Sequence, residues 1–71
     1  MPHRSFDEAC RAEAARIGGT LEEQQLITRI LMRARAEIEG IRKFDWRGTT
    51  TIRLYHPDGR IKKAFLNDRE I

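Results

Sequence analysis

Two short runs of alternating apolar residues meet across a tight-turn signal in the last third of this chain. No other feature limits the fold as much. The runs are Thr49-Thr50-Thr51-Ile52-Arg53-Leu54-Tyr55-His56 and Arg60-Ile61-Lys62-Lys63-Ala64-Phe65-Leu66, separated by Pro57-Asp58-Gly59. Pro57 presets φ for the first central position of a type I turn, Asp58 suits the second, and Gly59 takes the left-handed conformation of a bulge. The stretch predicts an antiparallel β-hairpin with strands over about 49–56 and 60–66.

A type I turn with a glycine bulge pairs His56 with Arg60. Counting back gives Tyr55 with Ile61, Leu54 with Lys62, Arg53 with Lys63 and Ile52 with Ala64. One face then carries Ile52, Leu54, Ala64 and Leu66, with the Lys62 stem along it. The other carries Thr51, Tyr55, Ile61 and Phe65, with Arg53 opposite Lys63. Like charges directly opposite are unfavourable. A two-residue Pro-Asp loop shifts the pairing by one and gathers Ile52, Leu54, Ile61 and Phe65 on one face. The turn chemistry favours the first register, the apolar pattern the second.

The residues before the hairpin read as helices. Ser5-Phe6-Asp7-Glu8 is a capping box, and Phe6, Cys10, Ala14 and Ile17 follow at spacings of a single helix face. A first helix is expected over about 5–17, stopped by Gly18-Gly19. Thr20-Leu21-Glu22-Glu23 is a second capping box, so the two helices join by a very short turn and pack as a pair. Ile27, Leu31, Ala34, Ile38 and Ile41 form the stripe of the second helix, widened by Leu26 and Ile30. Arg33–Glu37 and Arg35–Glu39 are opposite-charge pairs one turn apart. A glycine inside a helix costs about 1 kcal/mol relative to Ala, which places the end of the second helix near Glu39, before Gly40. The expected fold class is α+β: two N-terminal helices, about 5–17 and 21–39, followed by the hairpin. Residues 1–4 and the charged segment 67–71 are expected to be loose tails. Phe44 and Trp46, in the link between helix and hairpin, are expected to close the end of the core.

A chain of 71 residues forms one small domain and buries only about 60% of its unfolded surface. Only three Phe, one Trp and one Tyr are available to fill a core, and a disulfide within the chain is impossible with one cysteine. The stripe of the second helix is wider than a short helix and a hairpin readily cover. A homodimer through Ile27, Leu31, Ala34 and Ile38 is therefore expected. The single Cys10 favours a reducing compartment. With no apolar run of about 20 residues and no secretory signal, the expected location is the cytoplasm, away from membranes.

Charge is unevenly placed. The formal net charge is +3; residues 1–40 hold six Arg against seven Asp or Glu, and residues 41–71 hold eight Lys or Arg against four Asp or Glu. The second part, at +4, is the part that contains the hairpin. Trp46, Arg47, Arg53, Arg60, Lys62 and Lys63 are the candidate macromolecule-binding residues. Cationic groups on a rigid hairpin suit a phosphate backbone, with Tyr55 or Trp46 stacking on a base. The Phe44, Trp46 and Arg47 cluster has the composition of a protein-interface hot spot.

The sequence nominates no catalytic residue, metal ligand set or cofactor. His3, His56 and Cys10 do not stand at metal-ligand spacing. Cys10 lies on an apolar stripe with no base nominated beside it, and Gly18-Gly19 matches no phosphate loop. The one enzymatic alternative is a small ribonuclease using Tyr55, His56 and Arg60. The favoured expectation is a non-catalytic binding protein that contacts and occludes a larger protein or nucleoprotein partner. By analogy, small regulators and inhibitors from phages and mobile elements act in this way. A nucleic-acid-binding regulator is the alternative.

Overall fold

The computed structural model describes residues 5–71, so the tail expected over 1–4 lies outside the described residues. The order is α1 (Phe6–Ile17), α2 (Leu21–Phe44), β1 (Ile52–Tyr55), β2 (Lys63–Leu66) and β3 (Arg69–Glu70). The fold class is α+β, with a three-stranded antiparallel sheet in the order β1-β2-β3.

Both helices start where their caps say. The Ser5 hydroxyl accepts a hydrogen bond from the Glu8 N–H at 3.1 Å, and the Thr20 hydroxyl accepts from the Glu23 N–H at 3.1 Å. The second helix does not stop at Gly40. It runs on to Phe44 and ends at Asp45, which takes the left-handed conformation at φ 52°. Asp is among the few residues that enter this region readily. Arg42 and Lys43 in the last turn complement the negative end of the helix dipole.

Gly40 stays inside the helix because Trp46 folds back against it. A β-carbon at residue 40 would lie 2.6 Å from two atoms of the indole ring. The loss of intrinsic propensity is offset by the close approach of the largest side chain in the chain. Of the two charge pairs expected along α2, Arg35–Glu39 forms, with Nε to Oε1 at 2.6 Å. Arg33 and Glu37 form no salt bridge.

In the hairpin, the turn residues behave as expected but the register differs. His56 C=O accepts from Gly59 N–H at 3.2 Å, and Gly59 sits at φ 83°. The strands, however, pair Tyr55 with Lys63, Leu54 with Ala64, Arg53 with Phe65 and Ile52 with Leu66. This is a slip of two residues from the glycine-bulge register, and it matches neither expected pairing. Residues Arg60 and Ile61 leave the ladder for two reasons. Asp58 Oδ1 accepts from Arg60 N–H at 3.1 Å, and Glu23 of α2 accepts from Ile61 N–H at 2.8 Å. The slip also removes the Arg53–Lys63 clash. Each cation now stands opposite an aromatic ring. An even slip leaves the faces unchanged, so Ile52, Leu54, Ala64 and Leu66 still share one side.

The segment expected to be a charged tail is a second hairpin. Asn67 and Asp68 have φ 50° and 70°, the two positive values of a type I′ loop. They return the chain so that Leu66 pairs with Arg69 and Phe65 with Glu70. Ile71 N–H then donates to Ala64 C=O at 2.9 Å. Asn67 also ties down the start of β1, donating its N–H to Thr51 C=O and accepting the Thr51 N–H on Oδ1.

α2 is the spine. α1 packs along one side of it and β2 against another, and α1 touches no strand. The core is small: Cys10 and Ala14 from α1, Leu26 and Ile27 from α2, Ala64 and Leu66 from β2. The Cα extents are 41 × 36 × 13 Å and the radius of gyration is 13.5 Å, against about 11 Å for a compact chain of this length.

Candidate macromolecule-binding surface

The sheet gives this chain two unlike faces. On the side of Ala64 and Leu66, β2 is buried, but Ile52 and Leu54 of β1 remain 41% and 44% exposed. The opposite face alternates cations with aromatic rings. Arg53 lies with its guanidinium 5.3 Å from the centre of the Phe65 ring and bonds Asp68 at 2.9 Å. Lys63 stands opposite the exposed ring of Tyr55. A cation over a ring contributes on the order of 0.5–1 kcal/mol at an exposed site, and Arg53 over Phe65 is such a pair on this face.

The second cluster forms where α2 ends. The left-handed Asp45 turns the chain back, so Phe44 and Trp46 stack with centroids 5.8 Å apart and planes 20° from parallel. Lys43 Nζ is 5.5 Å from the Phe44 ring, and Arg47 bonds Asp45 at 3.1 Å. Both rings keep more than half of their surface in water, 61% for Phe44 and 52% for Trp46. An open groove of about 380 Å³ runs beside Trp46 and Arg47 to Glu37, Ile41 and Asn67. The expected closure of the core reduces to the Trp46 contact with Gly40.

The six expected binding residues therefore divide. Arg47, Arg53 and Lys62 each have a carboxylate of their own chain within 4.0 Å: Asp45, Asp68 and Asp58. Arg60 and Lys63 form no ion pair among the described residues. Trp46 and Arg47 sit together at the corner; Arg53 and Lys63 share the outer sheet face; Arg60 and Lys62 belong to the hairpin loop.

The α2 stripe proposed for a dimer is shared out within the chain. Ile27 is 7% exposed and Leu31 and Ala34 are half-buried; only Ile38 is largely open. The Tyr55, His56 and Arg60 trio is exposed at the hairpin end, with no side-chain hydrogen bond from His56 to a carboxylate. Among the described residues, no three His, Cys, Asp or Glu side chains are grouped to hold a metal ion, and no helix is long and apolar enough to cross a membrane.

Glu23 is the tertiary link that the sequence does not advertise. Its Oε1 accepts from Gly19 N–H at 2.9 Å, closing the helix cap, while Oε2 reaches the hairpin and accepts from Ile61 N–H. The Ile61 and then the Gly19 amide hold its carboxyl below the ordinary carboxylate range. The capping-box spacing forecasts a bond from Glu23 back to the Thr20 N–H, and the carboxylate instead takes the Gly19 N–H one residue earlier; nothing local forecasts the second bond, which spans 38 residues.

The chain matches no protein-family model, and no curated protein or solved structure is detectably similar to it.

Proposed function

We propose that this chain is a non-catalytic binding protein that contacts and occludes a larger macromolecule through the Trp46–Arg47 corner and the outer face of its sheet. The observation that carries the proposal is the Phe44–Trp46 stack. The two rings are stacked on each other, and Trp46 also lies against Gly40, while both side chains remain more than half exposed. Exposed aromatic side chains beside an Arg are the anchors that protein partners bury. A protein partner is favoured over a polyanion because Arg47, Arg53 and Lys62 already have carboxylates of their own.

A nucleic-acid target is the second reading. It rests on Arg60 and Lys63, which have no such partner, and on Tyr55 beside Lys63 as a stacking surface. Capture from nuclease-treated and untreated host lysate separates the two. The bait is wild-type protein, Trp46→Ala, or the pair Arg60→Glu with Lys63→Glu. The protein reading predicts a captured protein that survives nuclease, survives charge reversal and is lost with Trp46→Ala. Recovery of nucleic acid only at low salt, abolished by charge reversal, would overturn it.

A further inference from the structure

β1 is an edge strand with an open row of hydrogen-bonding groups. Thr51 C=O accepts from Asn67 N–H, and Tyr55 C=O accepts from Lys62 N–H at 2.8 Å. Both carbonyls therefore point toward β2. Backbone direction alternates along an antiparallel strand, so Arg53 also points inward and Ile52 and Leu54 point away from the sheet. No hydrogen bond among the described residues reaches the backbone of Ile52 or Leu54 from that side. The strand contains no proline and no lysine, and all four of its residues are exposed, with Arg53 as its single charge.

We infer that a second copy of this chain pairs with β1, antiparallel across a two-fold axis at Ile52, to give a continuous six-stranded sheet. The parity of the free groups allows symmetric pairing centred on Ile52, Arg53 or Leu54. Centring on Arg53 sets two guanidinium groups directly opposite each other, which is unfavourable. Centring on Leu54 carries the pairing past the end of β1 at Tyr55 and into the turn over 56–59, where the chain is no longer extended. Centring on Ile52 sets Ile52 against its own copy, Leu54 against Thr50 and Arg53 against Thr51. It also recruits Thr49, Thr50 and Thr51. These three residues have strong β preference but lie outside the sheet of the single chain.

The exposed area points to the same occupant. The molecule exposes 5843 Å², whereas a folded monomer of 8.3 kDa exposes about 4,600 Å². Removing the full unfolded-chain area of residues 1–4, about 750 Å², and lowering the reference to about 4,400 Å² for the shorter remaining chain leaves an excess of about 700 Å². A stable interface takes about 800 Å² from each partner. The inference does not rest on the function proposed above: it uses the backbone edge of β1, while that reading uses side chains of the Trp46 corner and the sheet face, with Thr49 and Thr50 adjoining both.

The test is sedimentation equilibrium together with cysteine cross-linking. Paired β residues stand about 5.5 Å apart at Cα, within disulfide range, and the native Cys10 is buried. Wild-type protein is expected to be dimeric at roughly 100 μM, where even a Kd of tens of micromolar leaves mostly dimer. Ile52→Cys is expected to give a disulfide-linked dimer under mild oxidation, and Leu54→Cys is not. Leu54→Pro removes an outward N–H that β2 does not use, and Ile52→Arg places like charges on the axis at an already exposed position. Each is expected to weaken the dimer at least about tenfold, the equivalent of about 1.4 kcal/mol, with helical circular dichroism retained. A monomer at that concentration overturns the inference. So does a dimer that survives Ile52→Arg, or one cross-linked through Leu54→Cys and not through Ile52→Cys.

Discussion

A hydrogen at the α-carbon of residue 40 is what lets Trp46 lie against α2. Gly40→Ala places a methyl group 2.6 Å from the ring, so the indole must swing out. The lost contact is opposed by a gain of about 1 kcal/mol in helix propensity. Stability is therefore expected to change by less than about 1 kcal/mol, while the fluorescence of the single Trp shifts to the red and becomes easier to quench. Unaltered emission would show that Trp46 does not rest on Gly40. Glu23 acts at the same scale. Its folded pKa is depressed by the Ile61 and Gly19 amides, so its contribution is present above the unfolded value of about 4.3. That contribution is lost as pH falls through the lower folded value. Denaturant midpoints are expected to drop from pH 7 to pH 3 in the wild type, and Glu23→Gln should be less stable at pH 7 with a shallower drop.

At the scale of elements, the helices and the turn were legible because their signals are local. Ser5, Thr20 and the Pro57-Asp58-Gly59 turn each act within a few residues, and each does what its chemistry dictates. The hairpin register was not legible, because it depends on Glu23 capturing the Ile61 N–H from a distant helix. The end of α2 was missed for a related reason: Gly40 is a packing glycine, and its partner Trp46 meets it only once the chain turns back at Asp45. β3 was legible in principle, since Asn67-Asp68 between alternating residues is a two-residue hairpin signal. Asn67 both adopts a positive φ and accepts the Thr51 N–H. Asn67→Ala should therefore cost about 2 kcal/mol, from left-handed strain and one lost hydrogen bond. Asn67→Gly should cost less, because only the bond is lost. Equal losses for the two, read from chemical denaturation, would remove the strain from this account.

For the whole molecule, the six buried apolar side chains among the described residues are small or medium, the Cα atoms span only 13 Å in the thinnest direction, and large apolar groups such as Phe44 and Trp46 stay outside. Of the candidate residues, the sequence pointed to Trp46 and the hairpin cations, but not to the carboxylates that engage Arg47, Arg53 and Lys62. The edge of β1 was hidden for the same reason as the register, since which backbone groups face outward follows from the pairing. The inferred pairing with a second copy is read most directly at the backbone of β1. The decisive measurement is amide hydrogen exchange at Ile52 and Leu54 as protein concentration is raised. Protection that grows at those two amides with concentration, while Arg53 stays protected throughout by β2, is the predicted result. Fast exchange at Ile52 and Leu54 at every concentration would contradict it.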